Sequence, residues 1–240
     1  MNIQKSLLSE FLKLISLQGD AENKEIVLNF EKNEIKTYLV NLNKTLATIG
    51  TLKLKDNLNK HSIGISDLNS FKRLLNNFKD NINITIENNK LILKENNLEI
   101  NYTIREPQTI LTTLEQDKFE YLQQQISKQS FLLTSNITSR IIDFVNNFKS
   151  NEITLQAEKD LLTIILEDNE KSLKSTFKLE DVEGVNINFK LRFSQIFIDI
   201  LNTIKDYDVR VYAETEKIAY LLLGIEGIDI GYFVAPLKND

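Results

Sequence analysis

The side chains best suited to chemistry in this sequence are carboxylates, which cluster at three places. The clusters are Asp20-Glu22-Glu25, Glu167-Asp168-Glu170 and Glu180-Asp181-Glu183. Oxygen-rich clusters can bind a hard cation, but the same composition is typical of turns on an acidic surface. The pair Asp206 and Asp208 allows the same two interpretations. A hydrolase that uses a divalent cation is therefore one hypothesis, and solvated turns are the simpler one.

No recognisable catalytic motif accompanies these carboxylates. His61 is the only histidine, and it lies in a polar segment without an acid and a nucleophile at an interpretable spacing. Phosphate loops of the GxxxxGK[ST] or GxGxxG type and the GxSxG elbow are absent from the sequence. Because there is no cysteine, disulfides, thiolate zinc sites and cysteine nucleophiles are excluded. We expect a protein that is not an enzyme and that uses no cofactor or metal.

Composition indicates a soluble globular protein. Of the 240 residues, 42% are hydrophobic and 26% are charged, which are ordinary fractions for such a protein. The net charge of -5 argues against a protein that coats nucleic acid with its whole surface. No apolar run approaches the roughly 18 residues that a membrane helix needs. We therefore expect neither a membrane-spanning protein nor a secreted precursor, and we expect a cytoplasmic location.

The sequence repeats itself at an offset of about half its length. Residues 65–93 align with residues 191–220, so that Phe71 corresponds to Phe197 and Leu75 to Leu201. Internal repetition of this kind indicates a duplicated unit. We predict an α+β protein of two similar domains, residues 1–104 and 119–240, joined by a connector at 105–118.

Hydrophobic periodicity predicts the same order of elements in both halves: a helix, strands, a second helix and three strands. Helices are predicted at 3–17, 67–79, 136–149 and 194–205, with Ser66 or Asp67 as the N-cap of the second. In the first half, strands are predicted at 25–30, 34–40, 45–54, near 65, 82–87, 90–94 and 98–104. In the second half they are predicted at 119–127, 152–157, 161–167, 172–179, 186–191, 208–214, 218–224 and 227–234.

The four predicted helices are the basic part of an acidic chain. Their charges sum to +4, so the remaining residues carry -9. Lysine and arginine are ordinary residues on helix surfaces, which leaves a plain solvated face as one interpretation. If the helices share a face, they offer phosphates a favourable surface. The helix at 194–205 fits this less well, because Asp199 points outward and Ile198 lies near its open face.

The sequence resembles the DNA polymerase sliding clamps. The segment SIGISDLNSFKRLL at 62–75 is similar to the strand-to-helix segment in the first domain of proliferating cell nuclear antigen. The run at 82–91 continues the likeness, and GYFVAPL at 231–237 resembles the terminal strand and tail of that family. The short N-terminus and the helix start at Asp67 look closer to the clamps of tailed bacteriophages. The resemblance implies the DNA clamp fold, with two helices packed on antiparallel sheets in each domain.

The resemblance also implies assembly. Clamp rings contain six similar domains, so a chain of two domains is expected to close as a head-to-tail homotrimer. The family's edge-to-edge contact corresponds here to strands 98–104 and 172–179. The implied interface residues are Leu98, Ile100, Tyr102, Ile104, Leu173, Ser175, Phe177 and Leu179.

Duplex DNA is the first implied partner, bound without regard to sequence. The helices would line the ring and contact phosphates rather than bases. The candidate contacts are Lys13, Lys72, Arg73, Lys79, Arg140, Lys149 and Lys205.

Polymerase and clamp-loader tails are the second implied class of partner. In this family they bind beneath the interdomain connector through a short apolar motif. The matching residues here are Val40, Leu42, Leu46, Ile110, Leu111, Leu114, Tyr232, Ala235, Pro236 and Leu237. The alternative is that these residues only seal the junction between the two domains.

The sequence therefore predicts a DNA polymerase processivity factor, a ring that encircles duplex DNA and tethers the polymerase. If the protein is viral, it would act in the host cytoplasm. The alternative function is a clamp-like accessory or scaffold protein of a viral replisome that binds partners without encircling DNA.

Overall fold

A computed structural model describes residues 1–158, 161–168, 173–179, 182–184 and 188–238. Within these ranges, the side chains outside the description are those of Asp20, Asp56, Asn57, Leu58, Gln116, Asp168 and Leu173.

The chain forms two compact units that interleave along the sequence. The first comprises Met1–Ser16, Glu22–Gln116 and Gly224–Ile230, and the second comprises Leu17–Ala21, Asp117–Leu223 and Gly231–Asp240. The connector predicted at 105–118 packs with the first unit as far as Gln116. The domain boundaries at 104 and 119 stay a prediction.

The first unit contains two helices and antiparallel strands. The strands β1, β4, β5 and β6 form one sheet in that order, and β2 and β3 form a long hairpin. Their bounds are β1 Asn2–Gln4, α1 Lys5–Ser16, β2 Ile26–Val40, β3 Leu46–Ile65, α2 Leu68–Leu75, β4 Asn81–Glu87, β5 Lys90–Glu95 and β6 Leu98–Thr103.

The predicted breaks inside β2 and β3 are wrong. We expected a turn at 31–33, but the register shifts on either side of Lys32 make this segment a β-bulge within one continuous strand. Lys32 has a φ of 41°, which accommodates the extra residue. The polar segment 55–60, predicted as a turn, continues β3. Both errors have the same cause. A run of polar residues is typical of a turn, but it also occurs where a β-strand is exposed to solvent.

In its described residues, the second unit follows the same plan with one additional helix. Its elements are α3 Gln116–Gln124, β7 Ser130–Leu133, α4 Ser135–Phe148, β8 Glu152–Glu158, β9 Leu161–Asp168, β10 Leu173–Leu179, β11 Phe189–Ser194, α5 Gln195–Ile204, β12 Val209–Tyr212, β13 Ala219–Ile225 and β14 Ile228–Val234. Strands β10, β9, β8 and β11 form one sheet in that order.

The strand predicted at 119–127 is wrong, because this segment contains α3. Phe119 and Leu122 are its half-buried residues, and the other described side chains of the helix are exposed. That spacing of three residues is helical rather than alternating. The segment also lacks the run of β-branched residues that favours a strand.

The duplication predicted from the sequence is visible in the sheets. The order β1-β4-β5-β6 in the first half recurs as β7-β12-β13-β14 in the second. In each half the first helix follows the first strand, and the second helix precedes the second strand of that order. The α+β fold class with two similar halves is therefore confirmed.

Close approach between helix and sheet forms the core of each unit. Phe11 and Ile15 of α1 are completely buried and lie so near Gly50 that a Cβ there would be 2.7 and 2.8 Å from them. In the second unit, the rings of Phe193 and Phe197 stack with centroids 4.3 Å apart. Each fully buried large apolar side chain contributes about 1.5–3 kcal/mol to folding. These contacts fix the helices on their sheets and so determine which side chains remain exposed.

None of the helices in the described ranges has the length and apolar character needed to cross a membrane.

Candidate nucleic-acid interface

The helix pair of the first unit presents a cavity that is lined by polar residues and contains two of the predicted DNA contacts. Its volume is about 500 Å³, and Ser9, Asn69, Lys72, Arg73 and Asn76 line it. The Lys72 ammonium donates a hydrogen bond to Ser16 Oγ at 2.9 Å, and the exposed Arg73 guanidinium donates to Ser70 Oγ at 2.9 Å. Burial lowers the pKa of Lys72, because partial desolvation disfavours the ammonium. An anion in the cavity would offset that cost.

The start of α2 fixes the position of these cations. Asp67 is the N-cap, as the sequence predicted, and its carboxylate accepts hydrogen bonds from Ser70 N at 2.8 Å and Ser70 Oγ at 2.5 Å. These bonds lower the pKa of Asp67, because they favour the ionised carboxylate. Arg73 bonds the same Ser70 hydroxyl, so the cap also orients the guanidinium.

Lys13 and Lys79, the other predicted contacts of this unit, have different surroundings. Lys13 is exposed on α1 and forms an ion pair with Glu10 at 3.0 Å. Lys79 lies outside the helix, because α2 ends at Leu75 rather than near 79 as predicted. Its backbone N–H donates to Glu95 at 2.9 Å, which holds the turn after α2.

The predicted contacts of the second unit are all exposed, but they are not equivalent. The Arg140 guanidinium lies over the ring of Phe177, 5.2 Å from its centroid. Lys149 caps the C-terminus of α4 in the left-handed conformation, with a φ of 55°. Lys205 caps α5. Lys149 and Lys205 extend from helix ends, whereas Arg140 packs against a ring.

Asp199 was predicted to point outward, and this is wrong. The carboxylate is 8% exposed and accepts hydrogen bonds from Gln195 Nε2 at 2.7 Å and Ala21 N at 3.3 Å. A 3-10 turn at Gly19–Ala21 lies on α5 and covers it. Eight of the ten residues of α5 are buried, including Ile198, which we placed near an open face. Most of α5 is therefore inaccessible to a ligand.

The two strands predicted to join subunits are outer strands of their sheets. β6 ends the order β1-β4-β5-β6, and β10 begins the order β10-β9-β8-β11. On β6 and just after it, Leu98, Ile100, Tyr102 and Ile104 are half-buried. On β10, Ser175 and Phe177 are half-buried, Leu179 is buried, and the Leu173 side chain lies outside the described residues.

The exposed residues of β6 and β10 differ in charge. β6 exposes Glu99, whereas β10 exposes Lys174 and Lys178. Glu99 pairs with Lys94 at 2.9 Å and Lys174 pairs with Glu167 at 2.9 Å within the chain.

The predicted partner residues of the first unit divide into exposed and buried groups. Leu42 is 77% exposed and Leu111 is 79% exposed. Leu46, Ile110 and Leu114 are buried in this unit, and Val40 is half-buried. The connector lies against β2, because Val40 N donates to Thr112 O at 2.8 Å and Leu114 N donates to Tyr38 O at 3.0 Å. Only Leu42 and Leu111 are freely accessible to a partner.

The predicted partner residues of the second unit show the same division. Tyr232 is completely buried, which corrects the expectation that it contacts a partner directly. Ala235, Pro236 and Leu237 are half-buried, and Leu237 N donates to Arg192 O at 2.7 Å. Beside them is a cavity of about 410 Å³. Its lining adds Lys190, Leu191, Arg192, Glu216 and Lys238, which we did not single out because β11 is a plain alternating strand in the sequence.

Several of the carboxylates considered for catalysis accept hydrogen bonds within the chain. Glu22 accepts from Asn69 Nδ2 at 2.7 Å, Glu25 from Leu111 N at 2.8 Å, and Asp208 from Ser135 N at 2.8 Å. Asp206 and His61 are exposed. Glu170, Glu180 and Asp181 lie outside the described residues. Within the described part of the chain, no three potential metal ligands form a group.

Comparison with known proteins finds similarity in structure but not in sequence. Neither a family model nor a curated protein sequence matches the chain. The proliferating cell nuclear antigen (PCNA) of A. fulgidus, solved with the C-terminal region of FEN-1, has a TM-score of 0.78 at 12% identity, with 100% of this chain and 98% of that chain covered. PCNA from Thermococcus kodakaraensis has a TM-score of 0.76 at 13% identity, covering 98% and 99%.

A clamp of the bacterial type is also similar. The putative DNA polymerase III beta subunit of Eubacterium rectale has a TM-score of 0.76 at 14% identity, with 100% of this chain and 65% of that chain covered. The matches to the two PCNA chains extend over nearly the full length of both partners. The chain therefore has the fold of the DNA sliding clamps.

Proposed function

We propose that this protein is a sliding clamp that serves as a DNA polymerase processivity factor. The observation that carries the proposal is the agreement with PCNA chains over the whole length of this chain, at TM-scores of 0.76 and 0.78. In this role the protein catalyses no reaction. It forms a closed ring around duplex DNA and keeps a polymerase close to the primer end.

The ring is a head-to-tail trimer in which β6 of one copy pairs with β10 of the next. Two observations support this pairing. Both are outer strands, and pairing would cover edges that otherwise invite aggregation. Their exposed residues are also complementary in charge, with Glu99 on β6 and Lys174 and Lys178 on β10. Two β10 strands placed together would bring lysines opposite lysines, which is unfavourable. A heterologous contact that closes on itself forms a ring.

DNA is held through its phosphates, and the first unit contributes most of the contact. Lys72 and Arg73 share one cavity with the side chains of Ser9, Asn69 and Asn76. Polar groups of this kind bind a phosphate oxygen but carry no sequence information. A clamp must slide, so a small number of such contacts suits it. Lys13, Lys79, Lys149 and Lys205 add charge at the periphery of the helices.

Partner proteins bind through apolar residues of the connector and the tail. Of the predicted partner residues, Leu111 of the connector and Leu42 of the turn between β2 and β3 are exposed, and Pro236 and Leu237 of the tail are half-buried. Polymerase and clamp-loader tails are the expected occupants. Tethering raises the effective concentration of the polymerase at the primer end, so that it rebinds before it diffuses away. Leu46, Ile110, Leu114 and Tyr232 support these surfaces from within.

Solution mass and DNA retention together test this function. By light scattering at micromolar concentration we expect three times the 27.8 kDa of the chain. The second measurement uses protein that has closed around a nicked circular plasmid. We expect the circle to retain this protein, and we expect linearisation to release it, because a ring slides off a DNA end. A monomer at every salt concentration contradicts the ring, and equal retention on both DNA forms favours the non-encircling accessory protein.

A further inference from the structure

Three side chains of the second unit form a cluster at the outer strand β10. The Arg140 guanidinium carbon lies 5.2 Å from the centroid of the Phe177 ring, and the Phe144 ring lies 5.3 Å from it at an angle of 41°. Arg140 and Phe144 both project from α4, one helical turn apart. Phe177 is half-buried and lies in the middle of β10. Helix α4 thus covers the ring of an edge strand with a cation and an aromatic side chain.

A side chain on an outer strand needs this support. Strands inside a sheet have neighbours on both sides, whereas β10 pairs only with β9 among the residues that the structure describes. Within the described part of the chain, no strand pairs with β10 on the other side of the Phe177 ring. A planar guanidinium stacks on an aromatic face and keeps its charge in water. Arg140 can restrict the ring without being buried.

The other outer strand has a comparable arrangement. Tyr102 of β6 packs edge-on against Phe71 of α2, with centroids 5.1 Å apart and planes at 60°. Its hydroxyl donates to Asp67 O at 3.3 Å, and burial raises the pKa of Tyr102. Each outer strand thus presents one half-buried ring that a helix of the same unit holds in place. On β10 the fixing group is a cation that is itself exposed.

We propose that Arg140 is an assembly residue, which orients Phe177 on β10 for contact with the β6 strand of a second copy of this chain. The proposal rests on the ring proposed above and changes the role of Arg140, which the sequence suggested as a DNA contact. The side chain faces an aromatic ring beside a free sheet edge, so its removal affects the subunit contact first. The charges described above select β6, rather than a second β10, as the partner strand.

The test measures assembly without DNA. We expect Arg140→Gln to weaken each subunit contact about fivefold, the factor that corresponds to a cation–π contact at an exposed site. Because three contacts close a trimer, the concentration at half-assembly, measured by sedimentation equilibrium, then rises roughly tenfold. Arg140→Lys keeps the charge but not the planar stack, so we expect an intermediate shift. The matched control is Lys55→Gln, which removes one positive charge from an exposed position on β3 and should leave assembly unchanged.

A double-mutant cycle makes the test specific to the ring. Phe177→Leu removes the aromatic face and keeps an apolar side chain at the edge. In that background Arg140→Gln should have no further effect on assembly. Thermal unfolding by circular dichroism confirms that each variant is folded. If the wild type forms a trimer and Arg140→Gln assembles equally well, the role of Arg140 is overturned and the ring stands. A monomeric wild type overturns both.

Discussion

At the scale of single residues, Asp199 shows how burial changes the role of a charge. In a helical projection of the sequence it lies on an exposed face. In the structure it is 8% exposed and accepts hydrogen bonds from Gln195 and from Ala21 of the turn that covers α5. Gly19 of this turn has a φ of 62°, and a Cβ there would lie 2.6 Å from the Asp199 carboxylate. Asp199 therefore holds the covering turn on the helix.

Replacing this carboxylate should destabilise the protein. Asp199→Ala leaves the Ala21 N–H and the Gln195 amide without their acceptor, which costs about 1–3 kcal/mol of unfolding free energy. Asp199→Asn keeps one acceptor oxygen and should cost less. Urea unfolding followed by circular dichroism measures both. Asp206→Ala, at an exposed position after the same helix, is the control and should change stability by less than about 0.5 kcal/mol. An Asp199→Ala protein as stable as this control would show that the turn is held in another way.

Local chemistry was predictable at the residue scale where it depends on near neighbours. The N-cap at Asp67 follows from a short polar side chain placed before an apolar helix stripe, and the structure confirms it. The environment of Asp199 depends on Ala21, which is 178 residues away. The burial of Tyr232 likewise depends on tertiary packing. No pattern within a short window of sequence contains that information.

At the scale of elements, regular hydrophobic periodicity predicted helices and strands correctly. Short polar segments between apolar runs were wrongly predicted as turns. The helices α1, α4 and α5 and the strands β4, β5 and β6 were found within a few residues of their predicted bounds. The segment at 31–33 was predicted as a turn, because three polar residues between apolar runs usually mark one. A bulge at Lys32 has the same composition. The additional helix α3 was missed because Phe119 and Tyr121 also suggest alternation.

Lys149 at the C-terminus of α4 affects both the stability of the fold and the charge available for DNA, and a substitution can separate these two effects. Lys149 occupies the left-handed region with a φ of 55°, and its N–H donates to Val145 O at 2.8 Å. Glycine adopts this conformation without steric cost, so Lys149→Gly should stabilise the fold by about 1 kcal/mol.

The same change removes one of the proposed phosphate contacts. Thermal unfolding should therefore show a higher midpoint while DNA affinity falls. Lys149→Asn provides the comparison, because asparagine tolerates the left-handed region but also lacks the charge. A Lys149→Gly protein that is less stable than the wild type would contradict the interpretation of this cap.

At the scale of the whole molecule, the two copies of the repeat have diverged in what their second helices expose. Helix α2 borders the cavity that contains Lys72 and Arg73, whereas eight of the ten residues of α5 are buried. The chain is acidic, with a net charge of -5. Binding to a polyanion must then depend on a few local cations against an unfavourable overall charge. This predicts an uneven interface in which the first unit dominates.

Salt dependence measures how many phosphates the first unit neutralises. On duplex DNA, each phosphate that a lysine or arginine neutralises adds about 0.9 to the steepness of log affinity against log salt concentration. Replacing both Lys72 and Arg73 by Gln should therefore make the slope shallower by about two, because both cations line one cavity. Fluorescence anisotropy with a short duplex of arbitrary sequence provides the affinity at each salt concentration.

The control for this experiment removes the same charge from another surface of the first unit. Lys44 and Lys55 are exposed on the β2–β3 hairpin, and neither belongs to a helix. Replacing both by Gln lowers the net charge by two, as the cavity variant does, so any effect of overall charge is shared. We expect this variant to keep the wild-type slope, because neither lysine is a proposed partner of a phosphate. Equal decreases in slope for the two variants would mean that DNA responds to the total charge of the chain, and the α2 cavity would then have no particular role.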